Sequence, residues 1–584
     1  MKIKYDKQPF VQVKGFGQEH AREGYEDIIK KLKEKLLDIN NKQKVLLIDM
    51  YPGVRVSEVK GNLIDDLNPS ITYYTDDLIF EDNETVNNKI KDMITDDRVF
   101  GKMCLNSFSD FIVPSKLENL RKEIEKQSGL VIIYGVGVSL VCKGDVYVYA
   151  DLARWEIQSR YRSSEMPNWK HDNFHDDVLV KFKIGYFFEW RMADRHKKEN
   201  FKNFDYILDT NIKSSPKMIT GEAFLEGLKQ TAHRPFRVVP FFDPGVWGGQ
   251  WMKQACDLDR NMENYAWCFD CVPEENSLLL RVGQTIIEIP SIDVVFTHPV
   301  ELLGDKVHAR FGTEFPIRFD LLDTMGGGNL SLQVHPLVEY AQDKFGIHYT
   351  QDESYYILDA KDKANVYLGI KTGTTKEKFF RDLEKAQEGS ITFPIEEHIN
   401  KVSAKKHDHF LIPAGTVHCS GKDTMVLEIS ATPYIFTFKL WDWERVGTDG
   451  NPRPINIEHG KSVVQFNRNT KWTMDNLVNR MENISESDGI KEERTGLHER
   501  EFIETRRHWF NKTVAHNTNG SVNVLNLVEG EEAIVKSTTD YFDPFIVHYA
   551  ETFIIPASVG EYTVTPYGES KGKTIATIKA FVRI

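Results

Sequence analysis

Apolar positions in the first third of the chain recur at two different periods. Tyr25, Ile28, Ile29, Leu32, Leu36 and Leu37 return every three to four residues, which predicts a helix between Arg22 and Leu37. Val45–Asp49 is a continuous apolar run, the pattern of a buried strand, and Pro52-Gly53 closes it. The Ser115 to Glu118 spacing matches a capping box and predicts a second helix that runs to Gly129. Leu130–Tyr134, Val146–Ala150 and Phe204–Asp209 read as further strands. Strands alternating with helices imply a mostly parallel sheet covered on both faces, so residues 1–220 are expected to form an α/β domain.

The pattern changes near residue 220. Residues 210–235 are polar and poor in strand periodicity, and from Arg237 onward short strands are broken by Gly, Pro and Asp. That is the pattern of an all-β barrel or sandwich. One helix is expected to interrupt it, since Lys376 to Gly389 places Phe379, Phe380, Leu383 and Ala386 on one stripe. Met425–Glu428 and Phe436–Arg445 read as strands. Near the end, Phe553-Ile-Ile-Pro-Ala echoes Phe410-Leu-Ile-Pro-Ala, which suggests an internal repeat of the barrel. Only the earlier copy ends in a histidine, His418, so the later one is expected to be a metal-free, structural barrel.

Candidate chemistry concentrates in the earlier copy. In Leu330-Ser-Leu-Gln-Val-His335 the apolar residues alternate with Ser331, Gln333 and His335, which places Gln333 and His335 on one strand face. Glu353 follows on a second strand, and His418 comes after an apolar strand and a Pro-Ala-Gly turn. Two neutral nitrogens, a carboxylate and an amide oxygen on neighbouring strands suit a divalent metal such as zinc.

Composition narrows the setting. The 584 residues are long for one core, and 41% hydrophobic with 28% charged residues is a globular balance. A net charge of −13 argues against a nucleic-acid-binding surface over the whole molecule. Six scattered cysteines form no disulfide framework, and Cys268-x-x-Cys271 has no second pair to make a zinc ribbon. The Met-Lys-Ile-Lys-Tyr-Asp start lacks a signal-peptide core, and the longest apolar run, Leu130 to Cys142, is too short to span a bilayer. A cytoplasmic protein with a small-molecule substrate and no membrane partner is expected.

Three segments carry a family resemblance: Leu330-Ser-Leu-Gln-Val-His-Pro336, Glu353 with the Tyr-Tyr-Ile-Leu-Asp that follows, and Ile412-Pro-Ala-Gly-Thr-Val-His418. In their order they resemble the signatures of class I mannose-6-phosphate isomerases, a zinc-dependent cupin (jelly-roll) family. Trp247-Gly-Gly249, Phe315–Asp323, Trp441-Asp-Trp-Glu-Arg445 and Gly450-Asn-Pro-Arg-Pro-Ile-Asn456 extend the similarity, which covers about residues 235–584. The resemblance implies one zinc per chain on Gln333, His335, Glu353 and His418. It also implies that Glu428 is either a proton carrier or a partner that orients a ligand histidine, and that Ser331 and Arg445 contact the substrate. Lys439 stands where a catalytic arginine is usual, so a point charge replaces a fork that can hold two oxygens.

The implied activity is interconversion of an aldose and a ketose phosphate, mannose 6-phosphate and fructose 6-phosphate foremost. One departure favours the alternative of a non-catalytic metal-bearing cupin that binds sugar or sugar phosphate for regulation. Many family members carry a lysine two residues before the ligand glutamate, whereas this chain has Gln351, which implies a different substrate, a low rate, or a charge supplied from elsewhere, such as Lys405 or Lys406. The expected divisions are 1–220, a metal-binding cupin domain at 235–460, and a second barrel at 461–584. Asp151, Arg154, Arg160 and Arg162 resemble the lid-side segment of P-loop nucleoside kinases. After Asp49, however, the chain reads Met-Tyr-Pro-Gly-Val-Arg-Val-Ser with no phosphate-binding lysine, so the first domain is expected to be a degenerate, non-catalytic module. The lone Gly135-Val-Gly137 is expected to serve close packing.

Overall fold

The computed structural model describes residues 4–583 except 432, 433, 435, 448, 449, 451, 452, 454, 497, 499 and 500. Met1–Ile3 of the amino-terminal reading, and Asn451, Pro452 and Pro454 of the Gly450–Asn456 segment, lie outside the described residues. The chain divides into two compact units. One comprises Phe10–Thr231 with Ser277–Thr297, and the other Met1–Pro9, Ala232–Asn276 and His298–Ile584.

The first unit is built on a seven-stranded sheet in the order Ala21–Glu23, Lys217–Thr220, Tyr206–Asp209, Val146–Asp151, Gln43–Met50, Gly129–Gly135, Ile71–Tyr74. The last five strands are mutually parallel and the first two antiparallel. Helix Gly24–Leu37 buries Ile28, Leu32 and Leu36, the face its spacing predicts. The second helix differs from the capping-box reading. It runs Pro114–Ile124 with Val113 as N-cap, because the fixed φ of Pro114 suits the first helical position and leaves Ser115 inside. Gly129 starts the next strand instead of ending this helix. Gly135 (φ +118°) is a close-packing glycine, where a Cβ would come within 2.4 Å of Thr75 Oγ1.

Ser277–Thr297 falls inside the 235–460 range, yet it clusters with the α/β unit. Its strands Ser277–Val282 and Thr285–Pro290 form a small sheet with Phe10–Gln12. Its Asp293 takes both carboxylate oxygens to within 2.7 Å of the buried Lys197 ammonium, which also bonds Asp151. A buried lysine needs such partners to stay charged, which ties the segment to this unit.

The second unit holds two pairs of facing sheets. In the first pair, one sheet runs His409–Ile412, Asp352–Ala360, Thr424–Ala431, Arg318–Asp323, Trp267–Cys271, Phe241–Asp243. The other runs Ile399–Ser403, Asn365–Ile370, His418–Ser420, Leu332–Val334, Phe438–Trp441. Helix Lys376–Gln387, capped by the Thr375 side chain, buries the expected Phe379, Phe380, Leu383 and Ala386. It is not alone: Pro299–Leu303, Asp305–Phe311 and Val338–Phe345 also interrupt the strands, the last ended by left-handed Gly346.

The second pair has one sheet in the order Glu482–Ser487, Ile490–Gly496, Ile503–Phe510, Ile575–Val582, Asn523–Glu529, Thr552–Ile555. Its facing sheet runs Val514–Asn517, Glu561–Pro566, Glu532–Ser537, Phe545–His548. Phe510, Leu525, Leu527, Val535, Phe553, Val564 and Ile575 form an apolar core between them. Arg237 links the two sandwiches, pairing with Asp270 (3.4 Å) and Glu551 (2.8 Å). The six cysteines are free thiols, and among the described residues no helix is long and apolar enough to cross a membrane.

Candidate metal centre

The strand Leu332–Val334 sits between two neighbours, and its register puts Gln333 opposite His418 on one side and Lys439 on the other. His335 follows one residue past the strand end. Glu353 enters from the facing sheet, with Oε2 3.1 Å from His335 Nε2 and Oε1 2.8 Å from His418 Nε2. The three residues are almost wholly buried, and their donor atoms lie within 4.8 Å of one another. The Gln333 amide is 3.2 Å from His418 Nε2, and turning that amide over would present its oxygen to the same point.

Two backbone carbonyls fix the orientation of the rings. His335 Nδ1 lies 2.7 Å from Phe436 O and His418 Nδ1 2.9 Å from Thr416 O. A carbonyl only accepts, so Nδ1 carries a hydrogen in each ring and Nε2 is turned toward Glu353, where a neutral ring presents a lone pair. His335 Nε2 and Glu353 Oε1 are accordingly buried with no hydrogen-bond partner despite the short separations. Burial alone would raise the Glu353 carboxyl, but the positive charge of the two imidazoles in their protonated form outweighs it and holds the group well below the usual carboxylate range. Two oriented nitrogen lone pairs, a carboxylate and an amide oxygen fit a divalent cation of zinc type.

The strand pairing also assembles a polar wall around this point. Arg318 pairs with Ser430, which pairs with Glu353; Asp320 pairs with Glu428, which pairs with Tyr355. Paired residues share a face, so all six look into the interior. Arg318 Nε, Asp320 Oδ1, Tyr355 OH and Ser430 Oγ are buried there without hydrogen-bond partners. Buried polar atoms are nearly always paired, so this concentration marks a place built for a polar ligand or water. Burial, with Glu353 and Asp320 nearby, pushes the Glu428 carboxyl well above its ordinary value.

Gln351 occupies the position of the missing lysine. Its amide donates to Glu353 Oε2 (3.0 Å), approaches Glu428 Oε1 (3.5 Å) and accepts from Phe436 N (3.1 Å). Lys405 and Lys406 do not supply the lost charge. Both are exposed, and Lys406 pairs with Glu529 at 2.5 Å.

Ser331 and Arg445 lie in a separate cluster around Asp442. Ser331 donates to Asp442 Oδ1 (2.7 Å), Arg445 Nη2 bonds the same oxygen (2.7 Å), and Arg453 bonds both Asp442 Oδ2 (2.6 Å) and Ser331 Oγ (3.1 Å). The strand expected to reach Arg445 stops at Trp441. Trp443 (φ +56°) and Glu444 (φ +61°) reverse the chain, and Trp443 Nε1 anchors the turn on Leu330 O at 2.6 Å. Arg453 and Asp442 were quoted in the sequence segments without a role; Arg318, Asp320 and Tyr355 carried no signal beyond strand alternation. Lys439, half-buried, shares the Gln333 face.

Comparison with known proteins gives four results. Residues 24–233 match a family model described as a domain of unknown function, DUF8485. The chain is 27% identical over 232 residues to the probable mannose-6-phosphate isomerase GmuF of Bacillus subtilis (strain 168), covering 39% of this chain and 68% of that protein. It is 26% identical over 235 residues to the mannose-6-phosphate isomerase ManA of the same organism, covering 40% and 68%. A crystal structure of the mannose 6-phosphate isomerase from Bacillus subtilis superposes with a TM-score of 0.47 at 19% identity, over 59% of this chain and 99% of that one. Over about two fifths of its sequence, then, this chain is similar to mannose-6-phosphate isomerases.

Proposed function

We propose that the chain is a metal-dependent aldose–ketose isomerase acting on a sugar phosphate, with mannose 6-phosphate and fructose 6-phosphate as the leading pair. The observation that carries this reading is the pair of Nε2 lone pairs, on His335 and His418, fixed toward Glu353 inside a polar, water-poor interior. Gln333, His335, Glu353 and His418 would hold one zinc ion per chain. When bound, such an ion supplies Lewis acidity toward sugar oxygens.

The remaining steps belong to the chain's own groups. Moving a proton between the carbonyl carbon and the carbon next to it needs a carrier that both takes and returns it. Glu428 suits that work, because burial and the neighbouring acids raise its carboxyl, so it holds a proton more readily than an ordinary glutamate. Negative charge builds on the enediolate as the proton leaves, and Lys439, the cross-strand neighbour of Gln333, would share it. Ser331 and Arg445, with Arg453, would receive the phosphate, and Asp442 holds both guanidinium groups in place beforehand. Arg318, Asp320, Tyr355 and Ser430 offer unpaired polar atoms to sugar hydroxyls.

A second reading, a metal-bearing cupin that binds sugar phosphate without turnover, draws on Gln351, which puts a neutral amide between Glu353 and Glu428. One purified sample separates the two. Bound metal by mass spectrometry together with fructose 6-phosphate formation from mannose 6-phosphate supports the isomerase; a full metal site with no turnover of any hexose or pentose phosphate supports the binding protein.

For the α/β unit we propose a degenerate kinase-like scaffold without phosphoryl transfer, in a cytoplasmic protein. Support comes from the turn after Asp49, where Ile157 lies against Gly53 and Arg160 donates to the Gly53 carbonyl at 2.5 Å. Side chains thus fill the place a phosphate cradle would need.

A further inference from the structure

The two sandwiches repeat one strand order, and their ladders can be matched rung by rung. In the first, Glu353 pairs with Ile412, and Tyr355 pairs with Phe410 and Glu428. In the second, Asn523 pairs with Ile555, and Leu525 pairs with Phe553 and Lys579. Asn523 therefore takes the place of Glu353, and Lys579 that of Glu428. Glu428 pairs onward with Asp320, and Lys579 with Arg506. Gln333 faces His418 in one sandwich; His516 faces Tyr562 in the other. Two residues past His516, Thr518 stands in the place of His335.

Three acids, Glu353, Glu428 and Asp320, are thus replaced by an amide, an ammonium and a guanidinium. Where His418 meets Glu353 in the first interior, the Tyr562 hydroxyl donates to Asn523 Oδ1 at 3.0 Å in the second. We propose that this second interior is an oxyanion pocket for a phosphate group, a site whose charge is inverted relative to the metal centre.

Unpaired groups make the case for a ligand. Lys579 is 7% exposed, and among the described residues its ammonium has neither a hydrogen bond nor an ion pair, only the Phe581 ring at 5.6 Å. His508 Nδ1, His516 Nε2 and Thr577 Oγ1 are buried without partners. These groups adjoin: Thr577 pairs with His508, and the His508 and His516 ring centroids are 4.6 Å apart. Arg506, 30% exposed at the side chain, forms the wetter edge with Glu492 (2.8 Å) and Glu504 (2.6 Å). Burial lowers the Lys579 ammonium to about 8, outweighing the more distant Glu492 and Glu504 carboxylates that act the other way.

The mix of groups selects the anion. His508 Nε2 lies 3.3 Å from Glu492, which can only accept, so Nδ1 of the neutral ring is itself an acceptor. Lys579 donates. Monohydrogen phosphate, or a phosphate monoester in its singly protonated form, accepts at several oxygens and can donate from one, so it satisfies both; sulfate offers no donor.

The test titrates the full chain with inorganic phosphate, and in a separate arm with sulfate, following phosphorus NMR line widths for the first and melting temperature for both. Phosphate should raise the melting temperature more than sulfate. Lys579→Met should weaken phosphate binding by about tenfold or more, the size of one lost charged hydrogen bond. The component lost in Lys579→Met is counted apart from any phosphate held by Arg445 and Arg453, and the His335→Ala/His418→Ala double variant should leave that component unchanged, as its changes lie in the other sandwich. Should Lys579→Met not fold, the near-isosteric Thr577→Val must weaken phosphate instead. Fructose 6-phosphate then assigns the source: displacement of inorganic phosphate from this pocket identifies a monoester ligand, and failure to displace it identifies the free ion. If phosphate binds the Lys579→Met and parent chains equally, or binds neither while the variant is merely more stable, the pocket is refuted. The result is independent of whether the metal centre isomerises sugars.

Discussion

Gln351 donates its amide hydrogen to Glu353 Oε2 over 3.0 Å, so the residue two places before the carboxylate is itself part of the metal centre's wall. The amide bonds the carboxylate without neutralising it. Glu428 stands close by, its carboxyl raised first by burial and then by Glu353. Gln351→Lys should place a cation between the two acids, favour ionised Glu428 and raise sugar-phosphate turnover by about tenfold with metal content unchanged. It should also cost about 1 kcal/mol of stability, since the bond from Phe436 N to Gln351 Oε1 is lost. Metal analysis, steady-state kinetics and a melting curve on the variant check all three.

Metal retention should depend on the two imidazoles together. His335→Ala/His418→Ala leaves Glu353 and Gln333, too few donors for a closed site, and bound metal should fall to background. Full occupancy in the double variant would sink the assignment of these ligands.

Lys439 separates catalysis from binding. Charge on an enediolate forms only as the proton leaves, so the cation should matter more in the transition state than in the ground state. Lys439→Met keeps much of the stem and removes the charge. An isomerase should lose kcat by about a hundredfold with the metal still bound. A sugar-binding protein would change only in affinity, and equal kcat in variant and parent would remove Lys439 from the reaction.

What the sequence disclosed about this site follows from how each group is presented. Gln333, His335, Glu353 and His418 come from short segments whose pattern names them, and register then brings them together. Arg318, Asp320 and Tyr355 belong to the same interior, but along a strand they look like ordinary alternating positions. Only the pairing of Asp320 with Glu428 and of Glu428 with Tyr355 reveals the wall. The Asp442 cluster was hidden because the chain reverses through left-handed Trp443 and Glu444, a backbone state no side-chain pattern announces. Likewise, nothing in the alternation of Ser277–Pro290 tells which unit will bury it; the salt bridge from Asp293 to Lys197 decides that. The repeat around Phe410 and Phe553 could be read from similar residues, whereas the inverted charges at Lys579 and Arg506 required the ladders.

Buried His409 gives the last expectation, on stability against pH. The ring is fully buried; its Nδ1 donates to Thr495 O at 2.9 Å, and its Nε2 has no partner. Burial lowers its pKa to about 4, against an ordinary histidine in the unfolded chain. Between those two values the unfolded chain binds a proton that the folded one refuses, so unfolding gains as pH falls through this window. Stability supplied by the neutral ring is complete above about pH 7 and drains away toward about pH 4, by about 2–3 kcal/mol at one pKa unit per 1.36 kcal/mol. His409→Asn keeps a donor for Thr495 O and cannot titrate. Denaturant melts of both chains at about pH 7 and about pH 4.5 should therefore give a smaller acid loss for the variant, even though it starts less stable from the lost ring packing. Equal acid losses would mean that His409 is already protonated in the folded chain or reaches water there. In either case the sandwich would be open where Thr495 and Tyr356 now enclose the ring.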